Sequence, residues 1–74
     1  METNRNYEIG MYLRRLRKQN HLTLEEVAKK MKVTTMTIYN YELGKRDLKV
    51  DVLEKFAEVY HINAGQILSN SKIQ

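Results

Sequence analysis

Two amphipathic helix patterns follow one another in this chain with almost nothing between them. The first has four apolar residues spaced i, i+3, i+4 and i+7, namely Leu24, Val27, Ala28 and Met31. Thr34, a residue type that favours the helix N-cap, comes only three positions later, and Ile38 and Tyr41 then form an i, i+3 apolar edge. The two intervening residues leave room only for a very tight turn. Any fold of this chain therefore has to pack two short helices against each other directly.

The rest of the chain predicts further helices and no sheet. Proline is absent and glycine occurs only at positions 10, 44 and 65, so hairpin turns are scarce. A first helix is expected from about Tyr7 to Asn20, where Ile9, Leu13 and Leu16 share one face. A fourth begins after Lys49, and its apolar face consists of Leu53, Phe56, Ala57 and Tyr60.

Helix ends are marked by specific residues. Thr23 and Glu26 have the spacing of a capping box at the start of the second helix. Gly44 can adopt the left-handed conformation that commonly closes a helix, here the third. Asn63 is placed to cap a short fifth helix. We therefore expect an all-α fold, a compact bundle of five helices.

Composition limits the chain to one small globular domain. Its 74 residues are 42% apolar and 30% charged, which is typical of folded domains. We expect one domain over residues 1–74, with a core at about 7–68 and flexible ends at 1–6 and 69–74; the sequence could also be a fragment of a longer protein. No cysteine and no apolar run near the ~20 residues that cross a bilayer are present, so a cytoplasmic location is expected. The formal charge of +4 mildly favours a polyanionic partner.

The outer side of the third helix points to a ligand. Two short helices with a tight turn form a helix-turn-helix unit, whose second helix can enter the major groove of DNA. With Ile38 and Tyr41 inward, the other side of the segment at about 34–43 carries Thr35, Met36, Tyr39 and Asn40. Asn can bond adenine N6 and N7 together, and Thr or Met can contact a thymine methyl group. These types favour base contacts, although ordinary surface exposure is the alternative.

Cations flank that helix. Lys45, Arg46 and Lys49 follow it directly and are suited to contact phosphate groups. The remaining cations are spread over other helices, and we expect most of them to be solvated charges: Arg14, Arg15, Lys18, Lys29, Lys30 and Lys32.

The chain resembles the helix-turn-helix family of Cro and the phage repressors from Ile9 to Leu68. The stretches that carry the resemblance are IGMYLRRLRKQNHLT, LEEVAKKMKV, TTMTIYNYELGKR and VLEKFAEVYHINAGQIL. In such proteins an LxxLR pattern ends the first helix, TxEEVA opens the second, and I-x-x-Y/W-E-x-G-K closes the third. Together and in this order these motifs are specific.

The resemblance implies roles for individual residues. The base-contacting and groove-facing positions of the family are occupied here by Thr34, Thr35, Met36, Tyr39 and Asn40. Its phosphate-contacting loop corresponds to Lys45, Arg46 and the backbone after Gly44. Arg17 and Glu42 match a partly buried ion pair between the first and third helices, with plain solvent exposure of both as the alternative.

Two positions depart from the family pattern. Many relatives begin the second helix with a glutamine that hydrogen-bonds a DNA phosphate, whereas this chain has Leu24, which cannot. Thr23 and the backbone N–H groups at that helix start remain candidates for the phosphate contact. Lys32 replaces the glycine of the turn, so it has to tolerate a left-handed conformation or the turn has to change.

Other chemistries find little support. His21 and His61 are forty residues apart with no second ligand at helical spacing, so no metal site or cofactor is expected. No nucleophile–base pair or glycine-rich phosphate loop can be assembled, and we expect no enzyme. The serious alternative is a protein-interaction module or antitoxin-like partner that docks through Met36, Tyr39 and Tyr41. Salt discriminates between the two, because only phosphate binding weakens steeply as salt rises.

Assembly is expected to be dimeric. One such module makes few base contacts, so we predict a homodimer on a palindromic operator, acting as a transcriptional regulator and most simply as a repressor. We expect no small-molecule effector, because the recognisable domain takes up nearly all of this sequence. The predicted interface lies on the C-terminal helices, whose surplus apolar residues are Val52, Val59, Ile62, Ile67, Leu68 and Ile73.

Overall fold

Five helices form in the computed structural model, which describes residues 5–70 of the chain. They are α1 (Arg5–Gln19), α2 (Leu24–Met31), α3 (Thr35–Glu42), α4 (Val50–Tyr60) and α5 (Ala64–Asn70). The predicted all-α fold of five helices is confirmed. Of the ends expected to be flexible, residues 5–6 lie in α1 and residues 69–70 in α5, while 1–4 and 71–74 lie outside the described residues.

Side-chain caps begin three of the helices. At α2, Thr23 Oγ1 accepts from the Glu26 N–H at 3.1 Å, and Glu26 Oε1 accepts from the Thr23 N–H at 2.8 Å, completing the predicted capping box. At α3, Thr34 Oγ1 accepts from the Thr37 N–H at 3.2 Å. Asn63 Oδ1 accepts from the Gln66 N–H at 2.9 Å before α5. These local bonds satisfy donors that a helix start otherwise leaves unpaired.

Left-handed residues end four of the helices, although only one of them is glycine. Gly44 has φ 77°, and the Lys45 N–H donates to Asn40 O at 3.0 Å, which closes α3 as predicted. Lys32 has φ 61° and ψ 44°, so the turn after α2 keeps the left-handed conformation without glycine. The other two left-handed residues are His21 and His61. At each non-glycine end the next residue is apolar and its N–H bonds back to the helix; these residues are Leu22, Val33 and Ile62.

The core lies where all five helices meet. Its largest fully buried side chains are Phe56, Leu13, Ile38, Ile67 and Val27. Tyr41 of α3 meets Phe56 edge-on, with ring centroids 5.7 Å apart, and thereby joins α3 to α4. Gly10 is buried where α1 crosses the end of α3, and a Cβ there would overlap the carbonyl oxygen of Glu42. The lack of a side chain at this position therefore lets α1 approach α3 closely.

The expectation that Ile67 contributes to a dimer interface is wrong. Ile67 is 0% exposed and belongs to the monomer core, because α5 packs its inner face on α1 and α4. Val52, Val59 and Ile62 are half-buried against the same core. Leu68 is exposed, and Ile73 lies outside the described residues. Within residues 5–70, no helix has the length and apolar character needed to cross a membrane.

Candidate nucleic-acid interface

The outward side of α3 presents the side chains expected to meet bases. Met36 is 62% exposed and Tyr39 is 44% exposed, values that leave large apolar surface in water. Thr35 is also exposed, and Asn40 is half-buried one turn after Met36. The opposite side of α3 is buried through Ile38, Tyr41 and Glu42. The fold therefore brings four of the five predicted base-contacting residues to the free side of one helix.

Thr34, the fifth predicted base-contacting residue, is the N-cap of α3. Its hydroxyl oxygen accepts from the Thr37 N–H and lies 2.8 Å from Thr37 Oγ1. The side chain is exposed at the start of α3, but these contacts hold the hydroxyl in place. Any contact from Thr34 to a base would therefore be made by an oriented hydroxyl.

Three predicted phosphate-binding cations lie in or beside the segment between α3 and α4. Lys45, Arg46 and Lys49 are all exposed. The Arg46 guanidinium carbon lies 5.2 Å from the centroid of the Tyr41 ring, a cation–π contact that places Arg46 beside α3.

The same segment is anchored to α1, which sequence patterns did not indicate. Asn6 Nδ2 donates to Asp47 Oδ1 at 2.5 Å. Gly44 lies so close to α1 that a Cβ at this position would be 2.6 Å from Tyr7 Cα. Two contacts distant in sequence therefore restrain the loop that carries the cations.

Arg17 and Glu42 are joined below the outer face of α3. Arg17 Nε donates to Glu42 Oε2 at 2.7 Å and Nη2 donates to Oε1 at 3.1 Å, a bidentate pair between α1 and α3. Arg17 Nη1 also donates to Leu22 O at 3.1 Å. The hydrogen bond to Glu42 raises the pKa of Arg17 above its ordinary value, although burial acts in the opposite direction. The pair links the first helix to the second half of α3.

Thr23 has fewer free groups than its sequence position indicated. Its N–H donates to Glu26 Oε1, and its hydroxyl oxygen accepts from the Glu26 N–H. The Glu26 carboxylate also places negative charge at the start of α2, where a phosphate contact was expected. The Thr23 hydroxyl hydrogen is the group left to donate.

Tyr60 lies in the core near the ion pair. It is buried and stacked on Phe56, with ring centroids 6.1 Å apart, and its hydroxyl has no hydrogen-bond partner among the described residues. Burial, and secondly the negative charge of Glu42, raise the pKa of Tyr60.

The arrangement defines a class of protein: a small helical bundle that contains a capped helix-turn-helix, α2 and α3, in which the outer side of α3 is exposed. A family model described as helix-turn-helix matches residues 13–67, which is most of the chain. The protein belongs to the helix-turn-helix DNA-binding family of the Cro and phage-repressor type. No match was found among curated protein sequences.

Solved structures share the fold. The clp gene regulator ClgR from Corynebacterium glutamicum is similar with a TM-score of 0.90 at 20% identity, covering 96% of this chain and 91% of that one. The DNA-binding domain of BldD is similar with a TM-score of 0.79 at 27% identity, covering 92% of this chain and 99% of that one.

Proposed function

We propose that this protein binds double-stranded DNA sequence-specifically, with α3 in the major groove, and regulates transcription in the cytoplasm, most simply as a repressor. The observation that carries the proposal is the free face of α3, where Met36 and Tyr39 are exposed beside Thr35 and Asn40. These side chains contribute nothing evident to the core, and their types suit base edges. Family membership and the names of the two neighbours, a gene regulator and a DNA-binding domain, agree with this role.

Base recognition is assigned to α3. Asn40 would bond adenine N6 and N7 together, and Thr35 would donate to or accept from a base edge. Met36, the most exposed of the set, would pack on a thymine methyl group. Thr34 and Tyr39 complete the base-contacting surface at the start and on one flank of the helix.

Phosphate binding is assigned to the segment after α3. Lys45, Arg46 and Lys49 are exposed there, and the Tyr41 ring together with the Asn6–Asp47 hydrogen bond restrains their loop. A preorganised cation loses less conformational entropy when it binds. Thr23 would add a weaker contact through its hydroxyl hydrogen at the start of α2.

The active form is proposed to be a homodimer on a palindromic operator, with half-sites about 34–36 Å apart. Its interface would use the C-terminal helices, where Val50 and Leu68 are exposed and Val52, Val59 and Ile62 are half-buried. Sedimentation of the free protein and of the protein on a palindromic site measures this directly. A monomer under both conditions would remove the dimer and leave the DNA-binding proposal standing.

Selection of bound duplexes from a random pool at two salt concentrations tests the function. A preferred sequence and a steep loss of affinity with salt are expected. Asn40→Ala should cost about 1–3 kcal/mol at one base position and relax the preference there. If Asn40→Ala kept the wild-type preference at every position, the groove assignment of α3 would be wrong.

The phosphate role has its own matched control. Lys45→Ala or Arg46→Ala should weaken all sequences about equally and reduce the salt slope by about one unit each. Lys55→Ala removes the same charge from an exposed position on α4 and should leave the slope near the wild-type value. Binding of a protein partner with little salt dependence, and no binding of DNA, would favour the interaction module instead.

A further inference from the structure

A groove of about 300 Å³ runs beside the recognition surface, between α1 and α3 and next to the start of α2. One face of α1 contributes Tyr7, Met11, Arg14 and Arg17, and the other walls come from Leu24, Tyr39, Glu42 and Leu43. Tyr39 therefore belongs both to this groove and to the proposed base-contacting surface.

Charge in the groove is not balanced. Arg17 and Glu42 neutralise each other at its base, where their side chains are 12% and 4% exposed. Arg14 is exposed and has no carboxylate partner among residues 5–70. The hydroxyl groups of Tyr7 and Tyr39 likewise make no hydrogen bond within that part of the chain, and both residues are exposed. Within residues 5–70, the groove thus offers one cation and two hydroxyl donors that have no partner, together with apolar walls.

The groove and Arg46 lie on opposite flanks of α3. Arg46 stacks on Tyr41, whereas Arg14 shares the groove with Tyr39. Measured from the exposed Met36, the Tyr39 side chain leaves the helix about 60° to one side, and the buried Tyr41 side chain leaves it about 140° to the other. Arg14 and Arg46 consequently mark the two sides of the helix that is proposed to enter DNA.

The shape of DNA supplies an occupant for both flanks. The major groove is about 12 Å wide, close to the ~10–12 Å diameter of a helix with its side chains. A helix seated there has one sugar-phosphate strand along each side. Among the assigned phosphate contacts, Arg46 lies on the Tyr41 side. On the Tyr39 side the assigned contact is Thr23 at the start of α2, where Glu26 adds negative charge.

We propose that the groove between α1 and α3 holds the second strand's sugar-phosphate backbone, with Arg14 binding a phosphate group. The hydroxyl groups of Tyr7 and Tyr39 donate to the same or the adjoining phosphate, and Met11 and Leu43 pack on deoxyribose. Arginine and tyrosine are among the side chains that bond phosphate oxygens. This assignment rests on the proposed function and changes the role of Arg14 from a solvated charge to a positioning contact for α3.

The first test is the salt dependence of binding to the selected duplex. Arg14→Gln should lower the slope of log affinity against log salt by about 0.9, which is about fivefold weaker binding at 0.15 M salt. Arg15→Gln is the matched control, because Arg15 is the exposed neighbour on α1 but does not line the groove. Its slope should match that of the wild-type protein. Tyr7→Phe keeps the ring and should weaken binding roughly two- to tenfold through loss of one hydrogen bond.

A second test locates the strand. Single phosphates of the duplex are replaced by uncharged methylphosphonates, one position at a time. Wild-type protein should lose affinity at one or more positions on each strand of a half-site. Arg14→Gln should become insensitive at one position on one strand, and Arg46→Ala at one position on the other. Thermal unfolding of each variant by circular dichroism checks that the fold is kept.

The outcomes separate the two proposals. If the wild-type protein binds DNA with a steep salt slope and Arg14→Gln keeps that slope, the groove assignment fails while the function stands. If Arg14→Gln and Arg46→Ala become insensitive on the same strand, the groove assignment fails as well. If the wild-type protein shows no salt-dependent DNA binding, the proposed function itself fails.

Discussion

Replacing Arg17 by Met should destabilise the protein more than any surface substitution. The Glu42 carboxylate is 4% exposed, and Arg17 supplies both of its hydrogen bonds, at 2.7 and 3.1 Å. Arg17→Met leaves this charge buried without a cation, which costs about 3–5 kcal/mol. In a domain of this size each 1 kcal/mol lowers Tm by about 4–8 °C, so a fall of at least roughly 12 °C is expected.

Glu42→Leu should cost less, because Arg17 is 12% exposed and keeps its bond to Leu22 O. The double variant Arg17→Met, Glu42→Leu replaces both charges by apolar groups and should come within about 1 kcal/mol of the wild-type protein. The pair would then orient α3 rather than stabilise the fold.

Urea unfolding of the four proteins, followed by circular dichroism, gives the coupling energy. An Arg17→Met variant that loses less than about 1 kcal/mol would refute the burial argument. A double variant no more stable than Arg17→Met would refute the claim that the cost comes from an unpaired carboxylate.

Two further predictions concern stability. Lys32→Gly should raise the free energy of unfolding by roughly 0.5–1 kcal/mol, because Lys32 has φ 61° and glycine adopts that conformation without strain. The matched control Lys29→Gly, inside α2, should lower it by about 1 kcal/mol, and equal signs for the two would contradict the argument. Tyr60→Phe removes a buried hydroxyl that has no hydrogen-bond partner in residues 5–70 and should stabilise the protein by about 1 kcal/mol at neutral pH. Burial raises the pKa of Tyr60, so the unfolded chain ionises first, and wild-type stability should fall as pH rises above the ordinary value of 10.0. Tyr60→Phe should lose less over the same pH range in thermal melts, and an equal loss would count against this reasoning.

Most helix boundaries could be predicted because they depend on neighbours within five residues. The capping box of Thr23 and Glu26 and the closure at Gly44 are formed by bonds between residues close in sequence. The outward direction of Met36 and Tyr39 also follows from helical spacing once Ile38 faces inward. Local sequence patterns therefore predict these helix ends and the exposed side of α3.

The left-handed ends at His21 and His61 could not be predicted in the same way, and for Lys32 the sequence left two alternatives, a left-handed residue or a changed turn. None of them is a glycine, and the conformation is held by backbone bonds from the apolar residue that follows. The position of Ile67 could not be predicted either, since the sequence pattern of α5 fits an apolar residue in the core and one in an interface equally well. Its burial depends on how α5 packs on α1 and α4.

The amino-acid sequence alone specifies the five helices and the free face of α3, because hydrophobic spacing and capping act over one or two turns. Tertiary packing decides which charged side chains form ion pairs and which remain available to a ligand. Arg14 and Arg17 share one face of α1, yet Arg17 is neutralised by Glu42 of α3, whereas Arg14, beside Tyr39, has no carboxylate partner in the described part of the chain. That difference depends on residues twenty or more positions away, and it exists only once α1 and α3 have packed together.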